Sequence, residues 1–226
     1  ISTPAQLSTL AIWAAYTEGK TYTLKNDISM GSTLLFLSGF AGTFDGAGHK
    51  ITLCTSQWNF RGESKTPLFG RYLGSSATVK NLTVVCNQGT IYSDGLYWGV
   101  LAGENYGTIE NVCVTTTNEA GLKLQVESSA AYPAIGLVAG ACLDGGRVID
   151  CSIGEHVSIV MDEYPEGAKS LMVGSLVGLV GSGNEDVEAN RSEVRFTSGY
   201  TGSVRITVSV NDADVDKWLF VGGLLG

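Results

Sequence analysis

The chain has 226 residues, 44% of them hydrophobic, with 30 glycines, four prolines and five cysteines, a balance that describes a folded protein with many tight turns. Fourteen basic against 22 acidic residues leave a net charge of −8, which opposes binding to nucleic acid or to an anionic lipid surface. The apolar stretch 171–181 is too short and too broken by glycine and serine to insert in a membrane, and five cysteines with no C-x-x-C pair favour buried thiols over a disulfide framework or a zinc cluster.

At the start, Thr3-Pro-Ala-Gln6 has the form of a capping box with proline in the first turn, followed by Leu7, Leu10, Ala11 and Ala14 at helical spacing and by Gly19 as a stop. The pattern predicts a helix over 3–18. Laid across the first strands, it would shield their unpaired edge.

Beyond it the chain repeats itself. Gly99-Val-Leu-Ala-Gly103 recurs as Gly136-Leu-Val-Ala-Gly140, Gly174-Ser-Leu-Val-Gly178 and Gly222-Gly-Leu-Leu-Gly226, with Thr66-Pro-Leu-Phe-Gly70 as a weaker copy. The closing glycines lie 33, 37, 38 and 48 residues apart, so loops of varying length enter at fixed corners. A second apolar run follows three of the motifs, Thr78-Val-Lys-Asn-Leu82, Thr108-Ile-Glu-Asn-Val112 and Arg147-Val-Ile-Asp-Cys151. A third run closes the period, as in Leu122-Lys-Leu-Gln-Val126, and alternates like a half-buried strand.

Three strands that return to one motif predict an all-β chain folded as a single right-handed parallel β-helix over residues 20–226 with an N-terminal helical cap. In that fold Leu68, Leu101, Val138, Leu176 and Leu224 form one inward row. Leu82, Val112 and Cys151 form a second, and Val84, Val114 and Ile153 a third. An antiparallel sandwich is the structural rival, but Asp-Gly turn signals come once per period, not once per hairpin. The sequence reaches Gly226 inside a fresh copy of the motif, so further coils or another domain are expected in the same polypeptide.

The stretch Gly99-Val-Leu-Ala-Gly-Glu-Asn105-Tyr-Gly107-Thr-Ile-Glu-Asn111-Val resembles the repeat of GLUG-motif proteins, and Gly42-Thr-Phe-Asp-Gly-Ala-Gly-His-Lys-Ile51 resembles the coil that leads into such repeats. The resemblance covers most of residues 20–180. Cys142 departs from it at the position of Asn105. It implies a β-helical segment of a secreted or surface-anchored bacterial protein, as in adhesins and the non-catalytic region of IgA-specific metallopeptidases. It also implies turn roles for Asn105 and Asn111 and brings no catalytic residue.

A search for chemistry agrees with a non-catalytic module. Sugar hydrolysis needs two carboxylates at a controlled separation, and the adjacent Asp162 and Glu163 would point to opposite faces of an extended segment. The two histidines, His49 and His156, sit in no H-E-x-x-H, and no nucleophile elbow exists. Asp212-Ala-Asp214-Val-Asp216 alternates like a calcium loop, but Lys217 stands where the turn wants glycine. No metal or cofactor is therefore assigned.

The candidate binding residues are positional. Trp58, Tyr97, Trp98, Tyr132, Tyr164 and Trp218 lie in the connections leading into successive glycine motifs, with Asp94, Asp162 and Glu163 beside them. Stacked along one rim, rings and carboxylates would hold a glycan or a host surface protein. A passive stalk and a polysaccharide-degrading β-helix enzyme are the alternative readings.

Overall fold

The computed structural model describes residues 1–33, 35–53, 59–60, 67–87, 90–93, 96–126, 130–161, 164, 168–181, 192–196, 204–208, 218–223 and 225. The described chain is mostly β, with one α-helix, and every described strand pairing is parallel. That excludes the antiparallel sandwich for these residues.

The repeat has four strand segments, where the sequence predicted three. Tyr97–Trp98, Ala102–Asn105, Thr108–Thr116 and Leu122–Val126 belong to four different sheets, and the next repeat visits the same sheets in the same order with Ala134–Ile135, Ala139–Leu143, Arg147–Ile149 with Ser152–Ile153, and Val157–Met161. The glycine motif is not one strand. It straddles the corner between the first and second sheets, and a Cβ added to Gly99 would meet the Cα of Ala139 at 2.5 Å. Close approach of the neighbouring repeat is what requires glycine here. An apolar run reads the same bent or straight, which is why sequence merged the two segments.

In the third sheet the apolar alternation slips by one residue. Val79, Leu82 and Val84 are all buried, as are Ile109, Val112 and Val114, although 79 and 82 are an odd number of positions apart. Asn81 and Asn111, at φ 52° and 51°, adopt left-handed backbone between them and absorb the slip. The inner rows then continue unbroken. Val112 lies opposite Leu82, and Val114 lies between Val84 and Ile153; Cys151, one residue before Ser152, extends the Leu82 row. These two rows match the sequence expectation.

The row through the glycine motif needs one correction. Leu101 donates to Val138 and Val138 to Leu176 through the backbone, but the residue donating to Leu101 is Phe69. Leu68 bonds Val100 instead and belongs to the adjacent buried row, after Leu37. The register between these repeats is 32 residues, since Tyr72 faces Glu104, whereas the closing glycines of the two motifs are 33 apart. Leu224 lies outside the described residues.

The helix spans Pro4–Ile12, followed by a 3-10 turn over Ala14–Tyr16, so the predicted segment is helical in two pieces. Thr3 caps it by accepting from the Gln6 backbone N–H, while Gln6 Oε1 accepts from Ser2 instead of Thr3. Leu7, Leu10 and Ala14 join the core that the sheets enclose. The helix leads directly into Thr21–Thr23, the terminal strand of the third sheet. Next to it Phe40, Phe44 and Phe69 pack edge to face, with ring centres 5.6–6.2 Å apart.

Candidate aromatic clefts and a buried carboxylate

Neighbouring residues of a strand point to opposite faces, and the first sheet shows this at Tyr97 and Trp98. Trp98, Ile135, Val173 and Val221 form its inner row, and Tyr97, Ala134, Met172 and Phe220 its outer row. Trp98 is accordingly buried, a core residue and not part of a rim. Tyr164 is also buried, its hydroxyl donating to the Trp218 carbonyl at 2.8 Å. It ties down the Trp218 backbone and offers no exposed ring.

Tyr132 and Trp218 do come together. Ser170 pairs in register with Trp218 and its N–H donates to the Ala131 carbonyl, which sets Tyr132 on one side of Ser170 and Trp218 on the other. Tyr132, Lys169, Ser170, Trp218 and Phe220 line an open cleft of about 460 Å³. Tyr132 is 53% exposed and Trp218 69%. Lys169, itself exposed, adds a cationic group to the lining. Trp58, Asp94, Asp162 and Glu163 lie outside the described residues.

A second open cleft, of about 500 Å³, runs between the helix and the first strand, where Trp13, Tyr16, Thr9 and Lys20 are among its lining. The Trp13 and Tyr16 rings stand 6.1 Å apart at 60°. Read as a cap, the helix hid this. The spacing of three between two large aromatics was the signal available.

The second sheet carries a feature that sequence reading missed. Asn105 points inward and is wholly buried, its amide donating to the Arg147 carbonyl and its Oδ1 accepting from Gly107. Glu104 faces the other way, yet its side chain is only 9% exposed. Tyr106, two residues on and therefore on the same face, donates to Glu104 Oε2 at 2.6 Å. Tyr72 faces Glu104 in register. Arg71 stacks its guanidinium 5.0 Å from the Tyr72 ring centre and holds Nε 3.8 Å from Glu104 Oε1, too long for a hydrogen bond.

The carboxylate reaches its neighbours electrostatically. Burial, then the hydrogen bond to Glu104, then the charges of Glu104 and Asp144 push the Tyr106 phenol well above its usual range. Burial and the Glu104 charge also raise Tyr97, which places that rim tyrosine within the field of the cluster. Repeat alignment could have exposed the group, because Glu104 and Tyr106 alternate on one face of a strand. The weak copy around Gly70, misaligned by one, set Arg71 opposite Glu104 and hid Tyr72.

No protein-family model, curated protein or solved structure matches the chain.

Proposed function

We propose that this chain is a non-catalytic ligand-binding segment of an extracellular surface protein, a right-handed parallel β-helix of the GLUG-repeat kind that holds glycans on aromatic clefts. The β-helix reading is supported by the fixed order in which the chain visits four parallel sheets before returning to the first. The observation that carries the binding reading is the meeting of Tyr132 and Trp218 in one cleft with Lys169 and Ser170. Exposed rings offer flat apolar faces to sugar C–H groups, and the ammonium and hydroxyls orient sugar oxygens. The Trp13, Tyr16 and Lys20 cleft repeats that combination.

Hydrolysis is the less favoured reading because glycoside cleavage uses two carboxylates at a controlled separation, and the adjacent Asp162 and Glu163 would point to opposite faces of an extended segment. The test is a glycan array on the wild-type chain, followed by calorimetry with the best hit. Trp218→Ala and Tyr132→Ala should each weaken binding at least tenfold while the far-ultraviolet spectrum stays unchanged. No bound glycan, or full binding by both variants, would favour the passive stalk. Release of sugar products on incubation would favour the enzyme.

A further inference from the structure

The Glu104 cluster shares no lining residue with either aromatic cleft, and its carboxylate is only partly paired within it. A carboxylate removed from water needs hydrogen bonds or a close counter-charge. Glu104 has one hydrogen bond, from Tyr106, and its Oε1, which stays open to solvent, has no hydrogen-bond donor among the described residues. The nearest cation, Arg71, is 61% exposed along its side chain, and an ion pair this long and this exposed is weak.

We propose that Glu104, Tyr72 and Tyr106 form a site for the guanidinium of an arginine on a partner polypeptide, which displaces Arg71. Arg71 already displays the chemistry of the occupant: a planar cation lies over the Tyr72 face, next to the carboxylate but not bonded to it. A guanidinium free of the Arg71 backbone can approach closer, donate to both lone pairs of Oε1 and keep the ring stacking. Oε2 retains one lone pair beyond the Tyr106 bond, so a two-pronged contact is open. Asp144, whose charge also acts on Tyr106, adds negative potential beside the site, and the net charge of −8 favours approach of a basic partner.

The proposal does not rest on the glycan reading, and the two are tested with different probes. The experiment is an NMR titration of the 226-residue chain with N-acetyl-arginine amide, and with N-acetyl-citrulline amide as the neutral isostere. Arginine should shift the amides of residues 104–106, and citrulline should not. Glu104→Gln, which keeps the shape and the Tyr106 bond, should lose affinity at least tenfold. Arg71→Ala should gain affinity threefold or more, because it removes the internal competitor. A structural ion pair would give the opposite result, lower stability with unchanged binding. Equal binding of citrulline, or an Arg71→Ala variant that binds no better than wild type, overturns the proposal even if Glu104→Gln fails to fold. Glucosamine binding as tightly as arginine overturns the guanidinium assignment.

Discussion

Asn111 Nδ2 donates to Asn81 Oδ1 at 2.9 Å across two successive repeats, and both residues hold left-handed backbone, at φ 51° and 52°. Asn81 in turn donates to Asp45 Oδ1 at 3.1 Å. The contact does two things at one position: the residue type tolerates the backbone that absorbs the slip in alternation, and its amide ties neighbouring repeats at the bend.

The two contributions can be separated by substitution. Asn111→Gly keeps the backbone and loses one partly solvated hydrogen bond, about 0.5–1 kcal/mol. Asn111→Ala loses the bond and adds the left-handed penalty, for a total of about 1.5–2.5 kcal/mol. Urea unfolding should therefore rank wild type above the glycine variant and glycine above alanine. An alanine variant as stable as the glycine one would show that the bend is unstrained.

Close approach is tested at Gly140, where an added Cβ would overlap the backbone nitrogen of Trp98 and stand 2.8 Å from the Gly103 carbonyl oxygen. Backbone atoms of two strands cannot both yield, so Gly140→Ala should destabilise by more than the usual overpacking range of about 1–3 kcal/mol or prevent folding. Gly74→Ala, with nothing within 4 Å, should stay within about 0.5 kcal/mol of wild type. Thermal melts of the pair decide the point.

Three thiols link stability to alkaline pH. Burial pushes Cys86 up to about 12, Cys142 to about 11 and Cys151 to about 12, from a usual value of 9.0. Below pH 9 both states keep these protons and the stability is whole. As pH rises past 9 the unfolded thiols ionise first, and stability is lost by about 1.4 kcal/mol per pH unit for each such thiol until its folded value is reached. Cys86→Ala should be less stable than wild type at pH 8, with the difference shrinking by pH 10.5 in urea titrations. A constant difference would refute the linkage. Iodoacetamide at pH 8 should label half-buried Cys113 before these three.

Core and cleft should respond independently. Leu101 is fully buried in the row with Phe69, Val138 and Leu176, so Leu101→Ala should destabilise by about 2–5 kcal/mol with glycan affinity unchanged at temperatures where the chain stays folded. Trp218→Ala should do the reverse, shifting stability by no more than about 0.5 kcal/mol and removing binding. If Trp218→Ala lowers the melting point as much as Leu101→Ala does, the ring belongs to the core.

Much of this arrangement was legible because the inner rows of the third sheet come from strands whose apolar residues recur with little drift, as at Leu82 and Val112 or Val84 and Val114. The register of the Gly70 copy was not legible, because its neighbours Leu68 and Phe69 are both apolar and both buried, so either would serve as the anchor. Burial of Trp98 and partial exposure of Tyr97 could not be told apart either. The pair is adjacent and both rings are large, and only the pairing with Ala134 and Ile135 assigns a face to each. Glu104 escaped notice because a glutamate in a strand is ordinarily solvated; its burial depends on Tyr72 and Tyr106, one of them in another repeat.

Partners in one sheet can be as few as 22 residues apart, as Thr21 and Thr43 are, or as many as 48, as Met172 and Phe220 are, yet the ladders meet in the same way. Since the entropy of closing a loop grows only slowly with its length, the corners of this chain can take up inserted sequence with little loss of folding free energy. Evolution, or an engineer grafting an epitope, has room to lengthen a corner while the ladders on either side keep their alignment.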